Sequence, residues 1–67
     1  MKTKQILFKT LRRAQREAFH TALSDDTPYA VYTVGRNYGV GRMIYNSKRA
    51  MHIPGVSKSR IVWDTRG

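Results

Sequence analysis

The chain contains no cysteine. It therefore has no disulfide to staple a small fold and no thiolate to hold a metal. Histidine is also scarce. His20 and His52 are far apart in the sequence, which argues against a structural zinc. Acidic residues number 4, against 13 lysines and arginines. The one adjacent acidic pair, Asp25-Asp26, lies in the run Ser24-Asp25-Asp26-Thr27-Pro28. With no third ligand near it, this pair reads as turn residues rather than as a metal or acid–base site. No apolar run approaches the length of a membrane span. The lysines at the N-terminus are not followed by the apolar core or the small-residue cleavage site of a secretory signal. We therefore expect a cytoplasmic protein. No internal repeat, low-complexity tract or linker divides the chain.

These absences leave little to stabilise a chain of 67 residues. A single domain of this size buries only about 60% of the surface its unfolded chain exposes. Stability must come from a small core, a partner or self-association, and a homodimer is one such route. An apolar content of 40% separates the chain from disordered basic tails. The net charge of +9 and a pI near 10.7 point toward nucleic acid or another polyanion.

The clearest pattern runs from Lys2 to Leu23 and predicts one amphipathic helix. Leu7, Leu11, Ala14, Ala18 and Ala22 recur at steps of three and four and fall in one stripe. Phe8 and Phe19 border that stripe. Lys9, Arg12, Arg13, Arg16 and His20 fall on the opposite side. No acidic residue precedes Glu17. A solvated face is the competing reading, but such faces usually mix signs, because like charges at helical spacing are destabilising. Lys2 and Lys4 also stand where a helix start prefers anions. The pattern favours a polyanionic partner.

The helix should end near Leu23 or Ser24, since Pro28 disfavours helix at Thr27. Tyr29 to Val34 is β-branched and aromatic on both faces and predicts a central strand. Three glycines in Gly35-Arg36-Asn37-Tyr38-Gly39-Val40-Gly41 predict a tight reversal, with Arg42 to Tyr45 as the returning strand. Asn46 or Ser47 could cap a short helical turn through Met51. Val56 to Ser59 reads as loop. Arg60 to Thr65 alternates, with Ile61 and Trp63 on one side, and predicts a third strand. The fold expected is α+β: an N-terminal amphipathic helix packed on a small three-stranded antiparallel sheet. Its core would take Leu7, Leu11, Phe8 or Phe19, Val31, Ile44, Ile61 and Trp63.

The glycine-rich segment lacks the lysine and hydroxyl of a phosphate-binding P-loop, and it lacks the third glycine of a dinucleotide fingerprint. Its plain role is a hairpin turn needing positive φ. A loop carrying Arg36, Asn37 and Tyr38 also suits phosphate and base contact. Arg36, Tyr38 and Gly39 resemble the basic, aromatic and small positions of the ribonucleoprotein signature in RNA-recognition motifs. Asn37, Val40 and Met43 depart from it, and no site follows from the likeness. Tyr32, Tyr38 and Tyr45 alternate with Arg36 and Arg42, as in single-strand binders where stacking is worth roughly 1–3 kcal/mol per base. The competing reading is that strand tyrosines simply pack. Lys48 and Arg49, followed by His52, Lys58 and Arg60, form a second basic cluster. The only candidates for acid–base catalysis are His20, His52 and Glu17, each of which reads as an ordinary surface group.

The sequence thus predicts a small non-enzymatic protein that binds nucleic acid, RNA or DNA, mainly through phosphates. The contacts expected are Lys9, Arg12, Arg13 and Arg16 from the helix, Arg36, Tyr38 and Arg42 from the hairpin, and Lys48 and Arg49 from the second cluster. No cofactor or metal is expected. The alternative is a small regulator or inhibitor, of the kind phages and mobile elements carry, that docks its basic face on an acidic protein surface.

Overall fold

The computed structural model describes residues 6–45 and 51–66. Its helix, α1, spans Leu11–Asp25. Thr10 starts it: the residue is extended (φ −125°, ψ 147°), and its Oγ1 accepts the backbone N–H of Arg13 at 3.3 Å. Before Thr10 the chain is held by Phe8, whose N–H and carbonyl both bond to Tyr38 at 2.8 Å. The helix therefore begins later than the pattern from Lys2 predicts. A capping threonine and a strand-like bridge satisfy the backbone that would otherwise continue it. Lys2 and Lys4 lie outside the described residues. At the other end α1 runs past Leu23. Asp26 closes it in the left-handed conformation (φ 54°), with its N–H on the carbonyl of Ala22.

The chain then enters β1 (Tyr29–Val34), turns, and returns as β2 (Asn37–Arg42). The turn is only Gly35-Arg36, between the paired residues Val34 and Asn37. Gly35 has φ 61° while Arg36 stays out of the positive region, the pattern of a II′ hairpin turn. The expected reversal over Gly35 to Gly41 is thus wrong in extent, and the returning strand begins at Asn37 rather than Arg42. The chain continues through β3 (Ile44–Tyr45) and β4 (Met51–His52), which pair with each other, and a 3-10 turn at Lys58–Arg60. The last strand is β5 (Ile61–Asp64). Met51 closes no helical turn: it stands in β4, and residues 46–50 lie outside the described residues.

The main sheet has the order β2-β1-β5 and is antiparallel throughout, with a bulge beside Val31 and Tyr32 against β5. One helix on a three-stranded antiparallel sheet is the α+β fold expected, and β1 is central as its composition implies. On the helix side, Ala14, Ala18 and Val31 are fully buried, with Phe8, Leu11, Tyr29, Tyr38, Val40 and Trp63 packed around them. The two alanines, one turn apart, let the helix axis approach the sheet closely. On the other side, Ala30 and Tyr32 pack with Met43 and Ile53, flanked by Val34, Val56 and Ile61. The segment carrying β3 and β4 thus covers the second sheet face, which is why β1 is apolar on both.

The core list needs two corrections. Leu7 is 39% exposed and Ile44 41% exposed, because neither belongs to the helix or main sheet. Of the two phenylalanines, Phe8 packs, while Phe19 is 52% exposed. No helix among the described residues is long and apolar enough to cross a membrane.

Candidate nucleic-acid interface

α1 runs antiparallel to β1, because Asp26–Pro28 connects the end of one to the start of the other. The start of the helix therefore lies at the turn end of the β1–β2 hairpin. The Phe8–Tyr38 bridge fixes this junction. Lys9 and Thr10 follow this bridge as a bend, and Asn37 and Arg36 precede it on the hairpin side. Lys9, Arg12, Arg13, Arg16 and Arg36 are all exposed. Lys9 precedes the Thr10 cap and is not on the helix face expected for it, yet it shares one end of the molecule with Arg12, Arg13 and the turn Arg36, with Arg16 one turn further along the helix.

A third element reaches the same end. Arg60 Nε donates to the carbonyl of Thr33 at 3.0 Å, and its guanidinium carbon lies 5.5 Å from the centre of the Tyr32 ring. These contacts tie the 3-10 turn to the last part of β1. Exposed Lys58 is carried there with it. The sequence shows Lys58 only as a member of a cluster with Lys48 and Arg49; pairing of β5 with β1 is what brings it to the hairpin turn.

Three of the four carboxylates collect at the other end. Asp25 and Asp26 close the helix, and Asp64 stands opposite Ala30 at the start of β1. Asp64 forms the one ion pair among the described residues, with Arg66 at 3.4 Å. Asp25 accepts a hydrogen bond from the Tyr29 hydroxyl. That bond, assisted by burial and by the charge of Asp25, raises the Tyr29 pKa, with Arg42 opposing. Glu17 stands four residues after Arg13, yet it accepts from the Thr21 hydroxyl at 3.3 Å instead of pairing with an arginine.

This arrangement opposes the helix dipole at both ends. The first turn holds no acidic residue and the last turn no basic one. Each such placement costs about 0.3–1 kcal/mol relative to the favourable one. Uncompensated cations, exposed side chains and the positive end of a helix together make a strong local positive potential.

Other expected contacts fall elsewhere. Arg42 pairs with Tyr29 across the hairpin and so lies at the acidic end. Tyr38 is a half-buried residue of β2, packed with the helix-side core, and not a loop residue. Lys48 and Arg49 lie outside the described residues. Of the three candidate acid–base groups, Glu17 and His20 ride on α1, whereas His52 is in β4, on the other side of the sheet. No group of three or more His, Cys, Asp or Glu able to hold a metal occurs among the described residues.

No protein-family model, curated protein or solved structure matches this chain.

Proposed function

We propose that the protein binds nucleic acid through phosphates at its cationic end. The observation that carries this reading is the segregation of charge. Arg12 and Arg13 from the helix start, Lys9 from the segment just before it and Arg36 from the hairpin turn converge, and the one carboxylate at helical spacing, Glu17, bonds Thr21 and pairs with none of them. A face built for solubility would intersperse signs and would place its anions at the helix start. Phosphates supply the missing negative charge, and a helix N-terminus presents backbone N–H groups toward them. Lys58 extends the surface across the hairpin turn, and Arg16, one turn further along the helix, lies outside it. The contacts are to the backbone of the nucleic acid, so they set affinity and orientation rather than sequence.

The test is fluorescence anisotropy with labelled single-stranded RNA, single-stranded DNA and duplex DNA, each at two salt concentrations. Five engaged cations predict a slope of log K against log salt on the order of −3.5 for single strands and −4.5 for duplex. Arg12→Glu with Arg13→Glu should remove binding, whereas Arg42→Glu, at the acidic end, should leave most of it. Equal loss in both variants would mean diffuse attraction by net charge rather than a cationic end. No binding at low salt overturns the reading and turns the search to an acidic protein surface.

A further inference from the structure

We propose that the C-terminal half of α1 is a self-association surface that pairs antiparallel with the same half-helix of a second copy. Phe19 and Leu23, one turn apart, face solvent at 52% and 66% exposure. Beside them lies an open groove of about 260 Å³ whose lining includes Phe19, Ala22, Leu23 and Pro28, with the charged Asp26 and Arg66 at its edge. Two large apolar side chains and an apolar groove side by side make a patch, not a scatter of single residues.

Charge identifies the occupant. A two-fold axis at the level of Thr21, on the Phe19–Leu23 side of the helix, sets residues equally far before and after that level across from one another. Phe19 then meets the partner's Leu23, and Leu23 meets the partner's Phe19. At the flanks, Arg16 meets the partner's Asp26. The last turn of α1 carries no basic residue of its own. The partner's Arg16 supplies the cation that a helix C-terminus prefers. The two remaining carboxylates of the helix lie off the Phe19–Leu23 stripe by helical spacing, and each has a local partner, Thr21 for Glu17 and Tyr29 for Asp25. The antiparallel arrangement also sends the two cationic ends to opposite extremes, which lowers the repulsion between chains of charge +9.

Analytical ultracentrifugation of the full chain, freed of nucleic acid by nuclease and high salt, tests this without reference to nucleic-acid binding. The expected result is a reversible monomer–dimer equilibrium that Leu23→Glu abolishes with the circular dichroism unchanged. The chain has no cysteine, so Arg16→Cys and Asp26→Cys are clean probes. Oxidising a mixture of the two should give mostly the mixed disulfide dimer, and little of either variant linked to itself. A chain that stays monomeric at every concentration overturns the proposal. So does a dimer that persists in Leu23→Glu, or one in which either cysteine variant links mainly to itself. Loss of RNA binding in Leu23→Glu without any change in mass would assign the patch to nucleic acid and equally overturn it.

Discussion

The ring of Tyr32 lies across Gly39 on the neighbouring strand. A Cβ at position 39 would come within 2.6 Å of Tyr32 Cζ and 2.8 Å of its hydroxyl oxygen. The two residues are direct cross-strand partners, and the ring fills the space a side chain would take. The Arg60 guanidinium lies over the same ring, 5.5 Å from its centre. Gly39→Ala should therefore destabilise the fold by about 1–3 kcal/mol through overpacking. In a domain of this size that lowers Tm by roughly 4–8 °C for each kcal/mol. Thermal unfolding followed by circular dichroism checks it. An unchanged Tm would mean that the ring can leave Gly39 at no cost.

Reversing the helix-start charges should separate stability from binding. Arg12 and Arg13 occupy the first turn of α1, where anions are favoured and none is present. Arg12→Glu with Arg13→Glu replaces two unfavourable charge–dipole interactions by favourable ones, each change worth about 0.3–1 kcal/mol. The double variant should unfold at a higher temperature than the wild type while losing nucleic-acid affinity. A surface that existed only for solubility would show the first effect without the second. A variant less stable than the wild type would mean that these arginines hold the fold together, against the exposure seen for both.

How far the sequence could be read depended on which interactions are local. The central strand was legible in Tyr29 to Val34, because a segment apolar on both faces needs cover on both, and it has α1 on one side and Met43 with Ile53 on the other. The basic helix face was legible from spacing alone. The helix start was not. The pattern from Leu7 onward has helical period, yet Phe8 bonds to Tyr38, 30 positions away, and helical periodicity carries no trace of such a partner. The glycines misled for a similar reason. Gly35 does turn the chain, but Gly39 and Gly41 are strand residues kept small by Tyr32 and Ile53 from other elements. A glycine that makes room and a glycine that turns look alike in sequence. The convergence of Lys9, Arg36 and Lys58 depends on strand pairing and was out of reach for the same cause.

The Tyr29–Asp25 bond gives the fold a dependence on alkaline pH whose sign can be worked out. The hydroxyl donates to the carboxylate and can do so only while protonated. That bond is the main cause that raises the Tyr29 pKa above its ordinary value near 10; burial and the charge of Asp25 add to it, and Arg42 works against it. The folded state thus holds this proton to higher pH than the unfolded state. As pH rises past the ordinary value the unfolded chain ionises first, so the contribution is complete below about pH 10 and is lost as pH climbs through the folded-state pKa. Tyr29→Phe removes the donor and the titration together. It should be less stable than the wild type near neutrality, by on the order of 1 kcal/mol for one surface hydrogen bond. The two Tm curves should then converge above about pH 10, because only the wild type loses this term there. Every other tyrosine and lysine is common to both proteins, so the difference between the curves isolates residue 29. Parallel curves across the alkaline range would show that the Tyr29–Asp25 bond contributes nothing to the stability of the fold in solution.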